Sequence, residues 1–259
     1  MKDYSKTMIV DFKETDRFLY LKLDSFVQML NTTSMYHTVS LGLAPNYMEE
    51  LGLVWVLYSW KLHLTEGNYY ARKLRFFTFA VFHKDIYSHR YFYVVDEENN
   101  QVGYALSVWI VIDAERRKMV KIPGPVKNAY LDKLEPFLSP DQERIVGHLD
   151  TTPIKKKKID AFTHEKSFEL RFDDIDSNHH VNNTKYIAWA MESLTTDRDE
   201  TFLTGHVPED LSIVYKKEKR PGGNILVKTC LDHQDSYHEI YDEDGCLLSI
   251  VELRWKRRV

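Results

Sequence analysis

Hydrophobic and polar positions along this chain follow two periods, and the two take turns in a fixed order. Met8-Ile-Val-Asp-Phe12 reads as a short strand, and a mixed stretch over 17–23 leads to Asp24. Over 24–41 the period is helical. Phe26, Met29, Leu30 and Thr33 fall on one face, and Gly42 stands where a helix stops. His37 lies on this helix, where a lone histidine is read as a packing or surface residue rather than a ligand. Four strand-like runs follow, 53–64, 69–82, 86–95 and 102–112, all rich in aromatic and β-branched residues. In the last of them Tyr104, Leu106, Val108 and Ile110 alternate, and Asp96-Glu-Glu-Asn-Asn100 marks the turn before it. Residues 123–140 read as a connector holding a short helix, 126–135, stopped by Pro136.

The same order then returns. Residues 151–158, with the run Lys155-Lys-Lys-Lys158, read as an exposed linker and a domain boundary. A strand over 163–172, a helix over 182–194 and four strands over 210–217, 224–231, 236–241 and 247–255 follow it. The turn Asp242-Glu-Asp-Gly245 echoes the one at Asp96, and both precede a last amphipathic strand with a basic end, Arg116-Arg-Lys118 or Lys256-Arg-Arg258. Strand, helix and four strands, twice over, predict an internal duplication. The expected class is α+β: a double hotdog of two tandem repeats, 1–150 and 151–259, each a long helix wrapped by a curved antiparallel sheet.

Composition narrows the reading. Apolar residues make up 43 % and aromatics 13 %, enough to bury a substantial core and to exclude disorder. A net charge of −4 gives no nucleic-acid signal. Cys230 and Cys246 are expected to be free cytosolic thiols. The first ten residues carry Lys2, Asp3 and Lys6 and lack the apolar centre of a secretory signal, and no run approaches the length of a membrane span. The expected location is the cytoplasm.

The chemistry concentrates between Arg171 and Leu194. The first half of that stretch is crowded with Asp, Asn and His, and the second is a helix with Tyr186, Ile187, Ala190, Met191 and Leu194 on one face. Asn182 or Asn183 is the N-cap, so the polar loop delivers the chain into a helix start. The N–H groups of Val181 and Asn182 there are candidates for holding an oxyanion. The same composition also suits an ordinary turn and cap. His179 beside His180 does not make a metal site, because neighbouring residues seldom turn both rings to one ion and no zinc-like spacing accompanies them.

The segment Asp174-Ile-Asp-Ser-Asn-His-His-Val-Asn-Asn-Thr-Lys-Tyr186 resembles the Asp-Leu-Asp-x-Asn-x-His-Val-Asn-Asn-x-Lys-Tyr segment of the plant and bacterial acyl-acyl-carrier-protein thioesterases. Val214-Tyr-Lys-Lys-Glu-Lys219 resembles that family's Glu-Tyr-Arg-Arg-Glu-Cys. Ser107-Val-Trp-Ile-Val-Ile112 and Lys121-Ile-Pro123 resemble its Ser-Val-Trp-Val-Met-Met and Lys-Ile-Pro. The resemblance spans about 20–255. It implies hydrolysis of a fatty acyl thioester on the phosphopantetheine arm of acyl carrier protein, releasing the free acid and ending elongation, with no metal or other cofactor. Residue by residue it implies catalytic roles for Asp176, Asn178 and His180, and for Glu218 in a later strand. Plant members carry a cysteine after that glutamate. Here the position is Lys219, which disfavours a cysteine acyl-enzyme and leaves water attack, directly or after a transient anhydride at a carboxylate.

The residues themselves fit such chemistry. A thioester is already activated, so an oriented nucleophile and oxyanion donors suffice. Glu218 is the candidate base or nucleophile, His180 holds the water or protonates the thiolate, Asn178 offers its NH2, and Asp176 orients a neighbour, with the division of attacking and orienting roles between the two acids left open. The resemblance implies that the first half tunes chain length. Phe26, Met29, Trp55, Trp60 and Phe77 there either line an acyl tunnel or pack as core. Lys216, Lys217, Lys219 and Arg220, with Lys155–Lys158 and the basic C-terminus, are candidates for docking the acidic carrier. An acyl-CoA thioesterase, a hydratase or dehydratase acting on a 3-hydroxyacyl thioester, and a non-catalytic acyl-thioester sensor are the alternatives, and both monomer and homodimer remain open.

Overall fold

A computed structural model describes residues 2–43, 46–131, 138–196 and 199–258. They fall into two compact units, one made of 1–21 and 26–151, the other of 22–25 and 152–259.

In the first unit, β1 (Asp3–Ile9) and a 3₁₀ turn (Phe12–Glu14) lead into α1 (Leu23–Ser40). A short α2 (Tyr47–Glu50) precedes β2 (Leu53–Leu64), β3 (Lys73–His83), β4 (Tyr87–Val95), β5 (Gln101–Asp113) and β6 (Met119–Val120). The connector holds α3 (Gly124–Tyr130), and α4 (Pro140–His148) follows it. The strands run antiparallel in the order β1-β3-β4-β5-β2, with β6 on β5. The second unit repeats the plan. It has β7 (His164–Glu169), a 3₁₀ turn (Phe172–Asp174), α5 (Asn183–Glu192), α6 (Thr201–Gly205), β8 (His206–Tyr215), β9 (Asn224–Asp232), β10 (Asp235–Asp242) and β11 (Leu247–Arg257). Its antiparallel order is β8-β11-β10-β9-β7. Each unit is therefore a helix against an antiparallel sheet, the hotdog arrangement expected.

Helix α1 buries Leu23, Phe26, Val27, Leu30, Thr33 and His37, one face of a 3.6-residue period. Phe26 presses onto β5 so closely that a Cβ at position 103 would lie 3.0 Å from its ring and 2.6 Å from the His63 carbonyl; only glycine fits there. The expected helix over 126–135 ends at Tyr130, and residues 132–137, Pro136 included, lie outside the described residues. Helix α4 was not anticipated. Its Ser139-Pro-Asp-Gln142 start forms a reciprocal capping box, and Ile145 and Val146 pack on Phe79, Tyr91, Leu106 and Val108, the sheet face opposite α1. This second cover explains why β4 and β5 carry buried residues on both faces.

Two buried histidines sit on the helix sides of the sheets. His37 Nδ1 lies 3.1 Å from an Arg90 nitrogen, and its ring stacks on Tyr4. His238 lies between Thr229 Oγ1 (2.7 Å) and Ser236 Oγ (2.8 Å), and Trp255 donates to the same serine. Burial lowers both to about 3, helped for His37 by the Arg90 charge and for His238 by His164. The unfolded chain protonates these rings below about 6.5, while the fold keeps them neutral down to about 3. Stability is therefore retained above about pH 6.5 and falls as pH drops toward 3, by up to about 1.4 kcal/mol per pH unit for each ring. Denaturant melts at pH 7, 6 and 5 are expected to show His238→Gln with a shallower decline than wild type; an identical slope would contradict this account.

Candidate functional site

The polar loop is built on a tight turn. Asp176 Oδ1 accepts from the N–H groups of Asn178 (2.8 Å) and His180 (3.2 Å), the Asp176 N–H donates to the His180 carbonyl, and His179 takes φ +59°. Asp16, Asp96 and Asp242 build the same turn, each carboxylate accepting from residues two and four further on. Short Asp side chains suit this role because they mimic a backbone acceptor. At Asp16 the copy is close: Leu19 takes φ +64° where His179 takes +59°, and Phe18 and Tyr20 stand where Asn178 and His180 stand. The first half thus keeps the turn and lacks the amide and the imidazole.

The second carboxylate comes from a different element. Glu218 had been expected within a strand; β8 ends at Tyr215, and Glu218 lies in the segment after it. Three links tie that segment to the start of α5. The Val181 N–H donates to the Lys219 carbonyl (2.8 Å), and the Tyr215 hydroxyl donates to the Asn183 carbonyl (2.9 Å). Tyr186 makes a backbone hydrogen bond with Lys219 and meets the Tyr215 ring edge-on at 5.6 Å. Burial raises both phenols, Tyr186 further through the charges of Glu218 and Asp176, so both stay protonated at neutral pH, Tyr215 donating to the Asn183 carbonyl and Tyr186 accepting from the Lys219 N–H. Sequence reasoning placed Tyr186 only on the helix face and did not single out Tyr215. The signal lay in two phenols flanking the two motif segments.

Because Val181 and Lys219 are bonded, their preceding neighbours face each other. His180 Nε2 lies 3.6 Å from Glu218 Oε2, with the side chains 22 % and 31 % exposed. That is too long for a direct hydrogen bond and short enough for a small approach to close it. Asn178, two residues before His180, is exposed, and Asp176 is half-buried with one oxygen engaged by its turn. Asn182 is the N-cap, accepting from the Thr184 N–H at 3.0 Å.

Three expectations need correction. The Val181 and Asn182 amides cannot serve as oxyanion donors: the first donates to Lys219 and the second to the Asp174 carbonyl, both at 2.8 Å. Lys219 is not a docking cation, since its Nζ bonds Glu243 at 2.9 Å and the side chain is 11 % exposed. Lys216, Lys217 and Arg220 are exposed. The five proposed acyl-lining residues do not share one space. Phe26, Met29 and Trp60 are enclosed on the α1 side, through Phe26 against Phe76 and Trp60 against Phe92. Trp55 packs with the cluster under α2 and α3. Phe77 alternates with Phe76 along β3 and so faces away from α1, beneath Arg75.

The chain can now be set beside known proteins. Residues 1–130 match the profile described as the acyl-ACP thioesterase N-terminal domain, and residues 156–257 match the C-terminal domain. An acyl-[acyl-carrier-protein] hydrolase of Cuphea viscosissima, described as chloroplastic, is 23 % identical over 256 residues, covering 90 % of this chain and 58 % of that protein. An oleoyl-acyl carrier protein thioesterase of Coriandrum sativum is also 23 % identical, covering 97 % of this chain and 69 % of the relative. The chain spans a little under three-fifths of the first relative's length. Among solved structures, a 12:0-ACP thioesterase from Umbellularia californica superimposes with a TM-score of 0.82 at 16 % identity, covering 99 % of this chain and 98 % of that one. An acyl-ACP thioesterase from Bacteroides thetaiotaomicron gives 0.79 at 18 %, covering 98 % of each. With both profiles matched in order over most of its length, this chain belongs to the acyl-ACP thioesterase family.

Proposed function

We propose that this chain hydrolyses the thioester of a fatty acyl group carried on acyl carrier protein and releases the free fatty acid. The observation that carries the reading is the approach of His180 Nε2 to Glu218 Oε2, 3.6 Å apart and partly open to solvent, in a chain of this family. Glu218 takes a proton from water as the water oxygen bonds to the thioester carbon. The Asn178 amide donates to the oxygen that gains charge. Collapse breaks the C–S bond, and the proton passes from Glu218 through His180 to the leaving sulfur, giving an acid and a thiol. Asp176 holds the loop that presents Asn178 and His180. Lys216, Lys217 and Arg220, exposed beside Glu218, receive the acidic carrier. Chain length is set in the first unit, on the α1 side with Phe26, Met29 and Trp60. A cytoplasmic location belongs to the same reading. In the described residues, no helix is long and apolar enough to cross a membrane.

Free-thiol release from matched acyl carrier protein and CoA thioesters of eight to eighteen carbons tests this. Release is expected from the carrier series, with kcat reduced at least about a hundredfold in His180→Ala and in Glu218→Gln. Preference for the CoA series would replace the handle and keep the chemistry. Saturable binding without release would make the chain a sensor and overturn the reading.

The tyrosine links generate a separate expectation. Tyr215→Phe removes the bond to the Asn183 carbonyl, so the Glu218 segment is held less firmly against α5. It is expected to lower kcat by about ten- to a hundredfold, with KM within about twofold of wild type. Unchanged kcat would show that the clamp does not position Glu218.

A further inference from the structure

The outer face of the second sheet carries a pocket that the hydrolytic site leaves unused. Along β10, Tyr237, Glu239 and Tyr241 alternate with Ser236, His238 and Ile240. His238 lies 3.4 Å from Ser193 at the end of α5, so Glu239 and its two tyrosines point to the opposite face. The end of the linker and the residues after it lie over that face. The Lys157 N–H donates to the Tyr237 hydroxyl (3.0 Å), and Lys156 Nζ reaches Tyr241 (2.9 Å) and Glu239 (3.1 Å). Glu239, only 2 % exposed, also accepts from both tyrosine hydroxyls. Between this segment and the strands is a pocket of about 580 Å³, within the range of small-ligand sites.

Its chemistry is two-sided. Ile159, Phe162, Leu226 and Tyr241 supply apolar wall, while Lys156, Lys157, Lys158 and Lys228 supply cations. Three of those lysines already have carboxylates: Lys156 has Glu239, Lys157 has Glu252 at 2.8 Å, and Lys228 has Glu165 at 3.2 Å. Among the described residues, Lys158 pairs with no carboxylate. Four lysines against three carboxylates leave one positive charge beside an apolar wall. A polyanion such as a nucleotide would overshoot that charge, and a neutral lipid would leave it unanswered.

We propose that this pocket binds a fatty carboxylate. Its head meets Lys158, with the partly exposed Lys228–Glu165 pair on the same pocket lining free to rearrange, and its chain lies along Ile159, Phe162 and Leu226. Only the ligand's source rests on the hydrolytic reading, since a fatty carboxylate is the product of that reaction. Gly245 lines one end of the pocket and belongs to the turn whose Glu243 holds Lys219, the neighbour of Glu218. A bound product would therefore sit one turn from the segment carrying the site carboxylate.

Photolabelling tests the proposal without requiring turnover. The intact chain is irradiated with a twelve-carbon acid bearing a mid-chain diazirine, or with its primary amide, and the labelled peptides are mapped. The acid is expected to label 156–162 and 224–232. The amide should label them at least about tenfold less, the scale of one charge-assisted contact. Lys158→Glu combined with Phe162→Ser should abolish labelling there and leave labels elsewhere. Absence of label from both segments, or equal labelling by acid and amide, would overturn the proposal. Because no hydrolysis is involved, either result stands whatever the thiol-release assay shows.

Discussion

The site depends on one backbone hydrogen bond, from the Val181 N–H to the Lys219 carbonyl at 2.8 Å. Val181 follows the polar loop, and Lys219 follows the end of β8, so these are distant stretches of chain. Once they are joined, the residue before each is set opposite the other, and an imidazole and a carboxylate come within 3.6 Å. Tyr215 and Tyr186 reinforce the junction from either side, each bonding to backbone of the opposite stretch. Both phenols stay protonated because burial disfavours the phenolate, Tyr215 as donor and Tyr186 as acceptor. Positioning of this kind costs nothing at the moment of reaction, which is why preorganised groups are effective in catalysis.

Duplication separates frame from chemistry. Both units use an aspartate-centred turn before the helix, with nearly the same hydrogen bonds and the same left-handed residue. In the Asp16 turn Phe18 and Tyr20 occupy the places that Asn178 and His180 take in the Asp176 turn. Asp176 is therefore read as the holder of the loop, and under the proposed function the difference between the halves reduces to Asn178, His180 and the approach of Glu218. The two sheets also differ in what covers their outer faces. The first is packed under α4, while the second lies under a lysine-rich segment that pairs with a buried carboxylate and leaves room for a ligand.

Most of the fold was legible because its signals are local. The helical face of α1, its Gly42 stop at φ +78°, the strand runs and the echoing aspartate turns all follow from period and turn chemistry. Helix α4 was missed although Ser139-Pro-Asp-Gln142 spells a helix start; the connector was read as ending at Pro140, and the residues after it were given no element. In the site, the loop and the cap at Asn182 were readable, whereas the destinations of the Val181 and Asn182 amides were not. An N–H at a helix start counts as available only until the tertiary structure supplies a carbonyl, and here Lys219 and Asp174 do so. Lys219 likewise reads as a surface cation until Glu243 is folded against it. Phe77 was misjudged because alternation along β3 puts it on the opposite face from Phe76.

The central claim is that His180 and Glu218 act as one unit. A double-mutant cycle measures this directly: kcat/KM for acyl carrier protein thioester hydrolysis in wild type, His180→Ala, Glu218→Gln and the double variant. The account predicts strong non-additivity, with the double variant about as impaired as the worse single one. Losses that multiply independently would contradict it.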